Sequence, residues 1–298
     1  MSGLEMTSRT KRVAMGEGAH REVTLGLVQM AMGDDREANV SKALAMVDEA
    51  SKRGASIVCL PELFASRYFP QEKGARVDPE PIPGPTTKRL SEAARASKVA
   101  LVGGSLYEKA RDGRLYNTSV VFDERGRVLG KYRKVQIPED ESFYEKDYFS
   151  SGSDYPVFKT RAASLGVLIC FDQWYPEPAR VERLKGAEVI FYPTAIGRVD
   201  GIEQAEGDWH DAWEAVQRGH AIANSMVVAA VNRVGNEGRM SFWGGSFVCD
   251  QFGKVLARAD DSEQVLLATC DLELGRRVEE GWGFLRNRRP ETYRKISS

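Results

Sequence analysis

Cys170 is the residue of this 298-residue chain best placed to act as a nucleophile. It ends the apolar run LGVLIC and precedes the polar and aromatic segment FDQWYPEPAR, so the chain must turn there. A cysteine at a turn before a helix N-terminus gains thiolate character, because the helix dipole favours the anion. The alternative is that Cys170 is a small buried hydrophobe. Hydrolysis would require two further groups beside it, a base and an oxyanion partner.

Glu62 and Lys134 have the residue types that those two roles require. Glu62 ends the strand-like segment SIVCLPE, and a partly desolvated carboxylate at such a position is a candidate general base. Lys134 lies in GKYRKVQIP, and an ammonium held near a reacting carbonyl stabilises the oxyanion of a tetrahedral intermediate. Each residue alone also has an ordinary explanation, a solvated strand end for Glu62 and a surface lysine for Lys134.

Three motifs contain these residues, and their order resembles that of the nitrilase, or carbon–nitrogen hydrolase, superfamily. The motifs are LPELF (60–64), GKYRK followed by IP (130–138), and GVLICFD (166–172). The resemblance extends from Val23 to the C-terminus. It therefore covers nearly the whole chain and includes one reacting residue type in each motif.

The resemblance implies a role for each residue. Cys170 would attack an amide or ureido carbon, and Glu62 would take the thiol proton and later activate water. Lys134 and the backbone N–H of Phe171 would hold the oxyanion. Ammonia would leave, and water would hydrolyse the remaining thioester. Glu145, in FYEKDYF, matches a further glutamate of the family and would orient Lys134 or the substrate nitrogen.

The resemblance also implies an α/β fold, a four-layer αββα sandwich of two mixed sheets faced by helices. Members commonly form homodimers or higher homo-oligomers through the helical face beside the nucleophile, and they use no cofactor. One departure is Gln136, which stands where close relatives often have a histidine two residues after the lysine. Because that histidine is not one of the three reacting residues, the departure concerns pH dependence rather than the chemistry.

The apolar patterning predicts the elements that must position these residues. Strand-like runs lie at 23–30, 56–62, 99–108, 164–171, 188–196, 226–235 and 264–272. Helical periodicity covers 37–53, 86–97, 176–185 and 208–224. Apolar pairs around turn residues at 118–134 and 246–259 predict hairpins. Mixed sheets covered by helices are therefore favoured over a purely parallel sheet.

A single domain is expected over residues 23–298, because no low-complexity linker or strict repeat interrupts the alternation. The tail from Arg276 is rich in arginine and aromatic residues and is predicted to be extended. Residues 1–22 are polar and contain no apolar segment of the kind found in secretory signals. They predict a disordered leader in preference to a targeting peptide.

The composition excludes several classes of partner. The formal net charge is -1, from 42 basic and 43 acidic residues, so no electrostatic footprint for nucleic acid or an acidic membrane is present. No apolar run approaches the roughly 20 residues that span a bilayer. No cysteine–histidine spacing predicts a metal site, and LVGGSLYE lacks the pattern of a phosphate-binding loop. Four scattered cysteines predict free thiols in the cytoplasm: Cys59, Cys170, Cys249 and Cys270.

Four further stretches resemble the subgroup of the superfamily that hydrolyses N-carbamoylputrescine, a small carbamoylated amine. They are CFDQWYPEPAR (170–180), FYPTAIG (191–197), QRGHAIAN (217–224) and WGFLRNRRPETY (282–293). Relatives that bind a carboxylate substrate place an arginine just after the nucleophile, whereas the nearest arginine here is Arg180. Acidic and aromatic residues suit an ammonium instead. Asp172, Trp174 and Glu177 are therefore the candidate substrate-binding residues, whereas His220 is predicted to be a core residue.

Other functions remain open at this point. The chain could hydrolyse another carbamoyl amine, a carbamoyl amino acid or an ω-amide. A nitrilase acting on nitriles is less favoured, because the subgroup stretches point elsewhere. A catalytically silent member that serves as a scaffold is disfavoured because all three reacting residue types are present. A uniquely fast-reacting thiol would distinguish the enzyme from the scaffold.

Overall fold

The computed structural model describes residues 21–297, so most of the predicted leader lies outside the described residues. Within that range the strands are β1 (Glu22–Gln29), β2 (Ile57–Cys59), β3 (Ala100–Val102), β4 (Leu106–Lys109), β5 (Leu115–Phe122), β6 (Val128–Arg133), β7 (Val157–Lys159), β8 (Ser164–Val167), β9 (Val189–Pro193), β10 (Gly197–Val199), β11 (Val227–Val231), β12 (Val234–Glu237), β13 (Met240–Trp243), β14 (Phe247–Cys249), β15 (Val255–Arg258) and β16 (Gln264–Asp271). The helices are α1 (Arg36–Lys52), α2 (Pro85–Ser97), α3 (Pro176–Leu184), α4 (Trp209–Asn224) and α5 (Glu273–Gly281).

Two large sheets and one small sheet organise the strands. The first has the order β16-β1-β2-β3-β5-β4, with β6 also paired to β5, and the second has the order β15-β14-β11-β9-β8-β7. Strands β1, β2 and β3 are parallel, as are β8, β9 and β11, whereas their outer neighbours are antiparallel. The small sheet is β10-β13-β12. The predicted mixed sheets and both hairpins, β5–β6 and β14–β15, are confirmed.

The two large sheets pack face to face between two layers of helices. Leu25 and Ile57 of the first sheet belong to one buried cluster with Val167 and Phe191 of the second. On its other face the first sheet is covered by α1 and α2, whose buried residues follow the predicted helical spacing. Helices α3 and α4 cover the second sheet, next to β8 and β11. The structure is therefore the predicted four-layer αββα sandwich.

Helix α1 illustrates how the local sequence sets an element's ends. The Asp35 side chain accepts hydrogen bonds from the N–H groups of Glu37 and Ala38, which satisfies donors of the first turn. Gly54 follows the last turn with φ +98°, a conformation that costs a glycine little. The helix therefore begins and ends within one residue of the predicted span.

Three segments differ from the sequence-based prediction. The strand predicted over 99–108 is split into β3 and β4, because Gly104 adopts φ +55° and a Cβ there would lie 2.2 Å from the carbonyl oxygen of Pro61. The strand predicted over 164–171 already ends at Val167. The tail predicted to be extended from Arg276 instead contains α5, where Arg276 pairs with Glu273 and Glu280 at helical spacing.

Glu182 of α3 is a buried carboxyl group in an otherwise apolar layer. The N–H of Val167 donates to its Oε1 at 3.2 Å, and its Oε2 has no hydrogen-bond partner within residues 21–297. Burial raises the pKa of Glu182 well above its ordinary value. Folding therefore favours the neutral form of this side chain relative to the unfolded chain.

We expect Glu182→Met to raise the free energy of unfolding at neutral pH by about 1–3 kcal/mol, the cost of an unsatisfied buried polar group. Since the pKa of Glu182 is higher in the folded state, the folded protein binds more protons, and its stability falls as pH rises above the unfolded pKa. The advantage of the variant should therefore grow with pH. Urea unfolding at pH 5 and pH 8 measures it, with exposed Glu177→Met on the same helix as control. An advantage that is independent of pH would contradict this account.

Candidate active site

Cys170 lies at the start of a short 3-10 turn, Cys170–Trp174, that follows β8. Its φ is +44°, a conformation that residues with a Cβ rarely adopt. The turn directs the Cys170 Sγ towards the carbonyl oxygen of Ala195, at 3.8 Å, and leaves the side chain 7% exposed. A strained residue in the turn after a buried strand is typical of a functional position.

Lys134 lies one residue beyond β6, and its side chain is fully buried between two carboxylates. Its Nζ donates to Glu62 Oε1 at 2.9 Å and to Glu145 Oε1 and Oε2 at 2.9 and 2.7 Å. Its backbone N–H donates to the carbonyl oxygen of Asn117 in the neighbouring strand at 2.9 Å. The structure therefore brings Lys134 together with Glu62 of the LPELF motif and with Glu145.

The two carboxylate oxygens of Glu62 differ in their hydrogen bonding. Its Oε1 accepts from Lys134 and from Asn117 Nδ2, the latter at 2.7 Å. Its Oε2 is buried and has no hydrogen-bond partner in the described part of the chain. An unpaired carboxylate oxygen in a buried site is able to accept a proton.

The surroundings of Lys134 and Cys170 shift the pKa of both side chains upwards. Burial alone would lower the pKa of Lys134, but the Glu145 and Glu62 carboxylates raise it above its ordinary value. Burial, and then the charge of Glu62, raise the pKa of Cys170 well above its ordinary value. The ammonium form of Lys134 and the thiol form of Cys170 are therefore favoured, and a base beside Cys170 is needed to form the nucleophilic thiolate.

Glu145 shares this buried site as the second carboxylate on Lys134. Burial raises its pKa above the ordinary value, although Lys134 acts in the opposite direction. Tyr68 OH donates to Glu145 Oε1 at 2.8 Å. The position of the Lys134 ammonium is therefore determined by two carboxylates, each held by a further side chain.

A cavity of about 360 Å³ opens above Cys170, within the range of small-molecule sites. Its wall is mainly aromatic and apolar, and three carboxylates lie among the lining residues, which are Pro138, Glu139, Asp140, Phe143, Cys170, Phe171, Trp174, Ile196, Glu206, Trp209 and Ala212. None of the lysines and arginines within residues 21–297 belongs to this lining. Among residues 21–297, no group of three or more histidine, cysteine or acidic side chains is arranged to hold a metal ion.

Of the predicted substrate-binding residues, only Trp174 lines this cavity. Asp172 is fully buried and is a correction to the prediction. Its carboxylate accepts from Tyr132 OH at 2.6 Å and from the N–H groups of Gln136 and Ile169 at 2.9 and 2.8 Å. Burial raises the pKa of Asp172 to about 6. Asp172 connects the loop after Lys134 to the strand end before Cys170 and does not contact the cavity.

Glu177 is the second correction, since it is exposed in the first turn of α3 and does not line the cavity. His220 behaves as the sequence predicted. It is buried, its Nε2 lies 2.7 Å from the carbonyl oxygen of Gln173, and burial lowers its pKa. A buried neutral imidazole with a backbone partner is a structural residue.

Several residues of the site were not predicted from the sequence. Glu139 and Asp140 directly follow the GKYRK…IP motif, and Glu206 lies in the acidic segment before α4. The signal for the first two is their position after the motif, whereas only the tertiary fold brings Glu206 to the same cavity. Asn117 and Tyr68 carry no local signal of their role.

Comparisons with known proteins agree with this geometry. The family model described as carbon–nitrogen hydrolase matches residues 24–280. The N-carbamoylputrescine amidase of Arabidopsis thaliana is 39% identical, over 94% of this chain and 97% of its own length. The citrullinase of Francisella tularensis is 36% identical, over 92% and 98%. A crystal structure of a carbon–nitrogen hydrolase from Helicobacter pylori G27 superposes with a TM-score of 0.85 at 36% identity, over 93% and 99%.

The family model spans the three motifs and the strands and helices that position them. The similarity to the Helicobacter pylori structure covers nearly the whole chain in both sequence and fold. This protein therefore belongs to the carbon–nitrogen hydrolase family.

Proposed function

We propose that this enzyme hydrolyses N-carbamoylputrescine to putrescine, ammonia and carbon dioxide, a reaction in polyamine biosynthesis from agmatine. The observation that carries the proposal is the cavity above Cys170, which combines aromatic walls with Glu139, Asp140 and Glu206. In the described part of the chain, no basic side chain lines it. A substrate with an uncharged ureido end and a cationic end matches this arrangement. The similarity to the amidase of Arabidopsis thaliana supports the same substrate.

The proposed reaction begins at the neutral thiol of Cys170. Glu62 takes the thiol proton, and Sγ attacks the ureido carbon to form a C–S bond. The Lys134 ammonium and the Phe171 N–H stabilise the resulting oxyanion. The tetrahedral intermediate collapses when its C–NH₂ bond breaks, and that nitrogen leaves as ammonia with the proton that Glu62 carried. A thioester remains on Cys170.

The second half of the reaction releases the thioester. Glu62 takes a proton from water, and the hydroxide attacks the thioester carbon. The C–S bond then breaks, and Glu62 returns its proton to Sγ, which restores the Cys170 thiol. The product is a carbamic acid, which decomposes to putrescine and carbon dioxide. The proposed role of Glu145 is to orient Lys134, since it accepts two hydrogen bonds from the Lys134 Nζ.

The distal ammonium of the substrate is assigned to the cavity rim. Its pKa is close to that of lysine, about 10.4, so it is charged at neutral pH. Trp209 lines the cavity and donates from Nε1 to Glu206 Oε2 at 3.1 Å, which places a carboxylate next to an aromatic face. Together with Trp174, this pair replaces Asp172 and Glu177 as the proposed cation site. An unpaired ammonium in the apolar cavity would be costly.

We predict that the enzyme prefers N-carbamoylputrescine over carbamoyl-β-alanine by at least about 10²-fold in kcat/KM, roughly 2.7 kcal/mol. The two substrates share the ureido group and differ in the sign of the distal charge. Ammonia release measures both, with citrulline, which carries both charges, as a third substrate. Because Glu206 is exposed, the preference should weaken at higher salt.

Two variants localise the origin of this preference. Glu206→Gln should raise KM for N-carbamoylputrescine and leave carbamoyl-β-alanine unaffected or improved. Glu203→Gln is the matched control, since Glu203 is exposed in the same loop and does not line the cavity. Equal efficiency on the two substrates would overturn the substrate assignment and leave the hydrolase assignment in place. It would favour another carbamoyl compound or an ω-amide as substrate.

We also propose that the enzyme is a homodimer or a higher homo-oligomer. Exposed apolar side chains gather near α4 and α5: Ile222 is 37% exposed, Phe252 47% and Trp282 63%. The rings of Phe252 and Trp282 lie 6.1 Å apart. Apolar patches of this kind are typical of protein interfaces. Light scattering should show a dimer or larger species that Trp282→Glu disrupts, and a monomeric wild-type protein would contradict the proposal.

A cytoplasmic location and a single domain over residues 23–298 complete the proposal. All four cysteines are unpaired and buried, as expected in a reducing compartment. Within residues 21–297, no helix combines the length and the apolar character needed to cross a membrane.

A further inference from the structure

The backbone that carries Glu62 is strained directly after this residue. Leu63 has φ +47°, outside the usual range of a branched residue. Its N–H donates to Ser105 Oγ at 2.9 Å, which holds one side of the turn. A strained turn persists only when its surroundings determine it, so the other side also requires partners.

Arg233, between β11 and β12, supplies those partners. It is fully buried, and its Nη2 donates to the carbonyl oxygens of Glu62 and Leu63 at 2.7 and 3.0 Å. Its Nη1 donates to both carboxylate oxygens of Glu237, at 2.8 and 2.9 Å. One planar guanidinium therefore binds a carboxylate on one side and the Glu62 turn on the other, a geometry that lysine cannot reproduce.

Glu237 extends the same contacts towards the second carboxylate of the site. Its Oε2 accepts from the backbone N–H of Tyr68 at 2.6 Å. The hydroxyl of the same tyrosine donates to Glu145, which in turn holds Lys134. The ion pair thus touches the peptide of Glu62 directly and reaches Glu145 through one intervening residue.

Stability alone is a weak reason for such a pair. Two charges that are removed completely from water lose their hydration, and apolar residues of similar size in their place are often as stabilising. Apart from those to Glu237, the hydrogen bonds of the Arg233 guanidinium go to carbonyl oxygens at Glu62, Leu63 and Ser66. Arg233 therefore binds the backbone of one turn, and that turn carries Glu62, the proposed base.

We infer that Arg233 and Glu237 are positioning residues, a buried clamp that fixes Glu62 and, through Tyr68, Glu145 around Lys134. This inference rests on the proposed role of Glu62 as the base, and it is independent of the identity of the substrate. The small β10-β13-β12 sheet then has a function in the reaction, because β12 carries Glu237.

The test compares two kinds of variant that remove the clamp: one leaves an unpaired buried charge, and the other does not. Arg233→Met alone leaves Glu237 unpaired and is expected to destabilise the fold. Arg233→Met combined with Glu237→Met leaves no unpaired charge, and Arg233→Lys keeps the charge but loses the planar fork. Arg258→Met is the control, since Arg258 lies on β15 and pairs with Glu214 of α4, and neither residue belongs to the site described above.

We expect the double variant and Arg233→Lys to keep a wild-type circular dichroism spectrum and to lose about 10²-fold in kcat with little change in KM, the effect of a displacement near 1 Å. Alkylation of Cys170 by iodoacetamide should slow in parallel, because Glu62 no longer takes the thiol proton efficiently. Adding the double variant to Glu62→Gln should cause little further loss, because residues that act as a unit are not additive.

Wild-type kcat and alkylation rate in the folded double variant would overturn the inference. The inference would also be overturned if the double variant lowered kcat as much in the Glu62→Gln enzyme as in the wild type, because a general structural effect would produce that result. The alkylation rate does not depend on the substrate. If the wild-type enzyme is inactive on N-carbamoylputrescine but its Cys170 is alkylated faster than that of the clamp variants, the proposed substrate is refuted and the clamp is supported.

Discussion

Cys170→Ala is expected to reduce the rate of ammonia release by several orders of magnitude, up to about 10⁶-fold for a residue that supplies the nucleophile. Without Sγ no thioester forms, and the remaining groups of the site only bind and polarise the substrate. The fold should be unchanged, because alanine is smaller and the backbone at φ +44° already carries a side chain. Ammonia release and circular dichroism measure the two effects.

The other three cysteines are the controls. Cys59, Cys249 and Cys270 are buried free thiols, and burial raises the pKa of each, to about 12 for the last two. Cys170 shares the raised pKa and differs in having Glu62 and Lys134 near its thiol. Alanine at the three other positions should therefore leave turnover near the wild-type value. A folded but inactive Cys59→Ala or Cys249→Ala would contradict the assignment of Cys170.

Lys134→Met is expected to lower kcat by about 10²–10³-fold or more, the usual cost of losing one oxyanion donor. This variant also leaves Glu62 and Glu145 as two buried carboxylates without a cationic partner, which would cost roughly 3–5 kcal/mol of stability. Combining Lys134→Met with Glu145→Gln removes one of these charges. If the folded double variant still lacks turnover, the loss belongs to the reaction rather than to unfolding.

Glu62→Gln tests whether the proposed base acts together with Lys134 and Cys170. We expect a loss comparable to that of Lys134→Met or larger, because Glu62 serves both halves of the reaction. Glu62→Gln combined with Cys170→Ala should be little worse than Cys170→Ala alone, since the base has no function without the nucleophile. Near-normal turnover in Lys134→Met would exclude the oxyanion role, and multiplicative losses would exclude joint action with Cys170.

The sequence predicted the sandwich, most element boundaries and the cluster of Glu62, Lys134, Glu145 and Cys170. The grouping of these four residues is what the resemblance to the superfamily implied, because each of them lies in a short motif that is recognisable in the local sequence. Helical spacing and hairpin turns are local signals of the same kind.

The errors arose where a contact distant in the chain decides the structure. Asp172 lies two residues after Cys170, yet the N–H groups of Gln136 and Ile169 turn its carboxylate inwards. The strand over 99–108 breaks because Gly104 packs against the carbonyl oxygen of Pro61. Glu206 reaches the cavity from a separate loop, a placement that no local pattern indicates.

The most direct test of the account is the covalent intermediate itself. The wild-type enzyme should be mixed with N-carbamoylputrescine, quenched with acid during turnover and digested for peptide mass spectrometry. The account predicts a thioester on the peptide that contains Cys170, with the mass of the substrate less ammonia, and no such adduct on the peptides of Cys59, Cys249 or Cys270. Ammonia release without any adduct at Cys170, or with an adduct on another residue, would contradict it.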